Sequence, residues 1–139
     1  MLMGVKQVRE IKFRAWFGEE HKMIPFDELH IELENGEYTV WYSLDGDSIQ
    51  DGLCVEDFNI MQYTGLKDKS GQEIYEGDIV EVEAQCMGGR DFKGVVKFYE
   101  CSFFIDNGED AIPLFDEVDP RIVIGNIHDN PELLEVQND

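Results

Sequence analysis

Three histidines (His21, His30, His128) and three cysteines (Cys54, Cys86, Cys101) are the side chains of this 139-residue chain best suited to nucleophilic, acid–base or metal chemistry. They are scattered, and no Ser or Cys motif beside them defines a nucleophile. The cysteines form no CxxC pair, and an odd count at low density points to reduced thiols and not to a secreted disulfide scaffold. The string GNIHD, Gly125 to Asp129, invites comparison with the GNHD/E signature of metallophosphatases. Ile127 interrupts that signature, the companion Asp-x-His is missing, and Gly77-Asp78 lacks the remainder of the usual GDxxDRG motif. In LDGDSIQDG, Asp45, Asp47 and Asp51 could offer oxygens to a cation, as in the opening of a calcium loop. Ile49 falls where an oxygen ligand is required and no glycine follows at the turn position, so an EF-hand is not expected. Gly88 to Arg90, GGR, is not a phosphate loop, because neither the GxxxxGK[ST] spacing nor a following helix accompanies it. No cofactor, metal site or catalytic residue is expected, and the chain reads as a non-enzyme.

Binding is the better-supported chemistry. Trp16, Trp41, Tyr42, Tyr63 and Tyr99 supply flat apolar surface that can pack a core, grip a peptide or stack on a base. Base stacking needs interleaved cations, which these aromatics lack. The glycine-rich loop CMGGRDFKG, Cys86 to Gly94, adds Arg90 in a segment where small barrels often bind something. The candidate binding residues are therefore Trp16, Trp41, Tyr42, Tyr63 and Arg90.

Charge restricts the partner. Eleven Lys and Arg against 31 Asp and Glu give a formal charge of −20, which opposes direct contact with nucleic-acid phosphates. Lys6, Arg9, Lys12 and Arg14 crowd the start, whereas Met23 to Leu66 contains no Lys or Arg and ten acids: Asp27, Glu28, Glu32, Glu34, Glu37, Asp45, Asp47, Asp51, Glu56 and Asp57. Such a stretch is either a solvated face or a surface for a basic protein. A sharper alternative is an acidic DNA mimic that occupies a DNA-binding protein, and a more distant one is an enzyme acting on nucleic acid or nucleotides. The start of the chain, MLMGVKQVREIKF, has no apolar run long enough for a signal or a membrane span, so a soluble cytoplasmic protein is expected.

The elements that must position these residues are mainly strands. Ile11, Phe13, Ala15 and Phe17 recur at period two, and Gly18 to Lys22 then turns the chain back through Met23 to Phe26. Asn35-Gly36 lies between alternating apolar positions, which predicts a hairpin on a type I′ turn. Asp68 to Gly71 and Glu76 to Asp78 read as tight turns, the second launching a strand from Ile79 to Ala84. Further strands are expected at Gly94–Tyr99, Ser102–Ile105, Ala111–Phe115 and Arg121–Ile127, with Asn107-Gly108 as a second hairpin turn. Five short strands in about 50 residues suggest a small barrel. Asn130, Pro131 and Glu132 predict one short C-terminal helix. The division expected is an N-terminal β lobe over 1–60 and an SH3-like barrel over 61–139, and unpaired edge strands leave a homo-oligomer open.

Three blocks carry a family likeness: REIKFRAW (Arg9 to Trp16) with Lys22-Met23 after it, MQYTGLKDKSGQEIYEGDIV (Met61 to Val80), and IGNIHDNPELL (Ile124 to Leu134). In these the chain resembles the YopX family of phage and prophage proteins. The resemblance implies a mainly β protein with an SH3-like C-terminal barrel, encoded by a phage or prophage and working in the bacterial cytoplasm. It implies no activity, and it carries no catalytic or ligand residues over. Residues 26–60 and 86–94 follow no pattern of the family, so specificity is expected there. The function expected is that of a protein-interaction module for a host or phage protein.

Overall fold

The structure, a computed structural model, describes residues 10–42, 53–55, 58–83, 92–115 and 120–134. The chain is mainly β, and short strands follow one another with few residues between them. They are β1 (Phe13–Phe17), β2 (Lys22–Ile24), β3 (Leu29–Glu34), β4 (Glu37–Tyr42), β5 (Leu53–Val55), β6 (Phe58–Lys67), β7 (Glu73–Tyr75), β8 (Asp78–Val82), β9 (Phe92–Tyr99), β10 (Ser102–Asp106), β11 (Ala111–Pro113) and β12 (Arg121–Asn126). They form three antiparallel sheets, ordered β2-β1-β6-β7, β3-β4-β5 and β11-β10-β9-β8-β12.

Alternation along the strands builds two apolar clusters. Ala15, Phe17, Ile24, Val40 and Tyr42 close one between the first two sheets, with Leu29, Ile31, Phe58 and Ile60 against it. Ile74, Val80, Val82, Val96, Ile105 and Leu114 form the other, inside the curl of the five-stranded sheet. Burying such side chains contributes roughly 1.5–3 kcal/mol each. Strand β6 touches both regions, pairing with β1 from Phe58 to Gln62 and with β7 at Tyr63 and Lys67.

Turn chemistry sets the registers. Asn35 and Gly36 have φ of 54° and 81°, so the β3-β4 hairpin closes on a two-residue turn with Glu34 opposite Glu37. Gly71 and Gly77 also lie at positive φ, 91° and 85°, within the two turns read in the Met61–Val80 block. Asn107-Gly108 belongs to a longer connection than a two-residue turn. The Asn107 N–H donates to the Asp110 carbonyl at 3.0 Å, while Asn107 Oδ1 accepts the N–H groups of Glu109 and Asp110. The tight turn of this region is Glu100-Cys101, with φ of 51° and 65° between the paired Tyr99 and Ser102. Its side chains carry no glycine signal, which is why sequence marks only the strands on either side. Where a short helix is expected at the end, the described residues make a four-residue 3-10 turn, Pro131–Leu134. Among the described residues no helix is long and apolar enough to cross a membrane.

Candidate functional site

An apolar groove of about 740 Å³ lies on the N-terminal side of the molecule, lined by Phe13, Phe26, Leu29, His30, Ile31, Leu33, Tyr38 and Ile60. Local structure explains it. Leu29, Ile31 and Leu33 alternate along β3 on the face they share with Tyr42, Val40 and Tyr38, their partners on β4. The inner end of this face packs into the N-terminal core, but the hairpin tip runs past it. Leu33 and Tyr38 are consequently 61% and 60% exposed. A single 3-10 turn, Phe26–Glu28, places Phe26 on the rim at 43% exposure. Clustered apolar exposure of this sort is a common feature of interaction surfaces.

The elements that form the groove also carry acids, three of them on the opposite face of the hairpin. Asp27 and Glu28 lie on the 3-10 turn, and Glu32, Glu34 and Glu37 are exposed on the β3-β4 hairpin. On that opposite face His30 Nε2 lies 3.2 Å from Glu32 Oε1. The other five acids of the cation-free stretch lie outside the described residues.

The expected binding residues are dispersed. Trp16 is buried and stacks on His128, ring centroids 4.9 Å apart and planes at 13°. Tyr42 is buried; its hydroxyl donates to Glu20 Oε2 at 2.6 Å, which pushes its pKa up to about 12. Tyr63 is buried against Tyr75, and its pKa is raised by burial and then by Glu73. Trp41 is half-buried on the outer face of the β3-β4 hairpin, edge-on to His30. Arg90 and Asp45 to Asp51 lie outside the described residues. The groove side chains missed by sequence reading are Phe13, Phe26, Leu29, Ile31, Leu33, Tyr38 and Ile60. The available signal was Leu33 and Tyr38, two apolar residues flanking a hairpin tip that no core can reach.

A second concavity, about 390 Å³, lies where β6, the Gly77 turn and β9 meet Ile127 and His128. Burial and then the positive charge of Arg14 hold the His128 pKa below its ordinary value, Asp129 opposing them. In GNIHD, Asn126 Oδ1 accepts the N–H groups of His128 and Asp129, so this string is a turn that delivers His128 to Trp16. Among the described residues no group of His, Cys, Asp and Glu could hold a metal ion.

A mainly β protein with two cores, a curled five-stranded sheet and an open apolar groove is thereby defined. The family model for the YopX protein matches residues 12–135, and the chain belongs to that family. Two solved structures are similar to it. The YopX protein from Bacillus subtilis is 27% identical, with 91% of this chain and 98% of that one covered and a TM-score of 0.65. Protein EF1440 from Enterococcus faecalis is 29% identical, with 92% and 100% covered and a TM-score of 0.58. No curated protein matches the chain.

Proposed function

We propose that the chain is a non-enzymatic protein-interaction module for a host or phage protein, acting in the bacterial cytoplasm. In this reading residues 1–60 form the binding lobe and residues 61–139 an SH3-like barrel that supports it. Five strands curled around one apolar cluster favour the barrel reading. The observation that carries the function is the groove: partly exposed apolar side chains, with Leu33 and Tyr38 mostly in solvent, on a hairpin whose opposite face carries carboxylates. That combination suits a partner segment with apolar anchors and flanking cations.

Affinity capture from host lysate at physiological salt, with wild type and Leu33→Asp side by side, tests this. Leu33 is outside the core, so the variant is expected to fold equally well by circular dichroism. A partner retained by wild type and lost by the variant supports the proposal. Folded wild-type protein that retains nothing above background overturns it.

A further inference from the structure

We propose that the groove receives an extended peptide as an added strand along β3, and that this peptide alternates apolar and basic residues. The inference rests on the interaction-module reading and specifies how the partner is held.

The backbone argument begins at the Asn35-Gly36 turn. A two-residue hairpin turn is closed by a hydrogen-bonded pair, here Glu34 and Glu37, and such pairs recur at every second residue of an antiparallel ladder. Glu34, Glu32 and His30 therefore direct their N–H and C=O groups at β4, and Leu33, Ile31 and Leu29 direct theirs outward. Strand β3 is the edge of its sheet. The Leu29 N–H is taken by the Phe26 carbonyl in closing the 3-10 turn. The Leu29 C=O and both groups of Ile31 and Leu33 have no partner on that side among the described residues. They form a row spaced about 6.6–6.8 Å apart, the repeat to which an incoming strand pairs.

Side chains select the sequence. The outward-bonding residues Leu29, Ile31 and Leu33 turn their side chains to the groove, above Phe13 and Ile60 and between Phe26 and Tyr38. Every second residue of an added strand would enter this apolar space. The intervening residues would lie on the other face, beside His30, Glu32 and Glu34, where a Lys or Arg meets an opposite charge across the strands. A second copy of the chain suits the edge less well, because antiparallel pairing of β3 with itself sets Glu32 against Glu34 or against Glu32 in the registers centred on Leu33 or Glu32, and only the register centred on Ile31 sets it against His30. An edge this long and apolar that bears carboxylates disfavours most pairings with its own kind and admits a basic strand.

The test uses short peptides and the full chain. Acetyl-KVKVKVK-amide is titrated by fluorescence anisotropy against wild type and Leu33→Asp, alongside acetyl-EVEVEVE-amide. Two further KVKVKVK peptides carry backbone N-methyl groups on the valines or on the lysines. Binding of KVKVKVK that weakens about tenfold or more with EVEVEVE and with Leu33→Asp is expected. One of the N-methyl series, and not the other, should lose binding, because only alternate N–H groups face β3. Equal binding by both N-methyl series overturns strand addition. So does absence of KVKVKVK binding by a protein that still captures a partner through Leu33, and that outcome leaves the interaction module standing. Concentration-dependent dimerisation abolished by Leu33→Asp would replace the peptide by a second copy and overturn the choice of partner.

Discussion

The Arg14 guanidinium and the Asp78 carboxylate meet at 2.8 Å across 64 positions of sequence, with only 13% and 2% of the two side chains exposed. Asp78 Oδ2 also accepts the Tyr75 N–H at 2.7 Å, and Arg14 lies over the Tyr75 ring while donating to the Glu76 carbonyl. The turn that launches β8 is thereby clamped to the first strand. Burial outweighs the attraction of Arg14, so the Asp78 pKa is raised.

A buried pair of this type is costly to break from one side, because the remaining ion loses its partner but stays out of water. Asp78→Ala is expected to lower stability by about 3–5 kcal/mol, and adding Arg14→Met should recover part of that loss. Urea unfolding of the four proteins of the double-mutant cycle measures both. A cost under about 1 kcal/mol for Asp78→Ala would mean that the clamp holds nothing.

Two glycines should behave differently for distinct reasons. A Cβ on Gly94 would lie 2.7 Å from the backbone carbonyl carbon and oxygen of Asp106, atoms held in the β9-β10 ladder. A Cβ on Gly36 would meet nothing within 4 Å, and its difficulty is φ of +81° alone. Gly94→Ala is expected to cost about 1–3 kcal/mol or more through overpacking, and Gly36→Ala about 1 kcal/mol. Thermal melts of the two variants give the order, and a larger loss for Gly36→Ala would contradict it.

Asp68 anchors the turn before β7. Burial pushes its pKa up, but N–H groups of Val123, Gln72 and Ser70 and the Ser70 hydroxyl donate to it and hold the pKa below the ordinary value. A depressed carboxyl pKa stabilises the fold above the unfolded value of about 3.9, and the benefit is lost as pH falls through the folded value. The stability difference between wild type and Asp68→Asn should therefore be constant near neutrality and shrink in acid. Denaturant midpoints from pH 7 down to pH 3 check this; a difference that grows in acid reverses the sign.

His128 offers an optical readout. Its imidazole resists protonation, so protonation should become visible only below the ordinary value of about 6.5. A protonated ring stacked on Trp16 quenches indole fluorescence. In a Trp41→Phe background, emission should fall on acidification with a midpoint below about 6.5, and His128→Asn should remove the transition. By the same linkage, stability drawn from neutral His128 is present above the unfolded value and declines as pH drops through the folded one. An unchanged fluorescence transition in His128→Asn would assign it elsewhere.

Local signals were legible wherever chemistry is local. Period-two alternation located β1 and the strands of the curled sheet, and Asn35-Gly36 placed the β3-β4 hairpin at its residues. Gly71 and Gly77 marked their turns because only glycine adopts those φ values without strain. Glu100-Cys101 escaped notice because it makes the same kind of turn from residues with no such preference. Asn107-Gly108 looked like a two-residue turn because the dipeptide cannot reveal that the Asn107 side chain caps a longer loop.

The groove and the clamp needed tertiary structure. By itself the sequence determined the mainly β class, the family blocks, the acidic stretch and the turn positions, since each depends on neighbours a few residues apart. Only the assembled molecule decided that Asp78 answers Arg14, that His128 covers Trp16, and that the aromatics expected to bind are partly spent on packing. It also decided that, among the described residues, no strand pairs with the outward edge of β3 beside Phe13 and Ile60. Those facts depend on which strand lies beside which, and strand order is set by long-range burial that no local pattern of residues encodes.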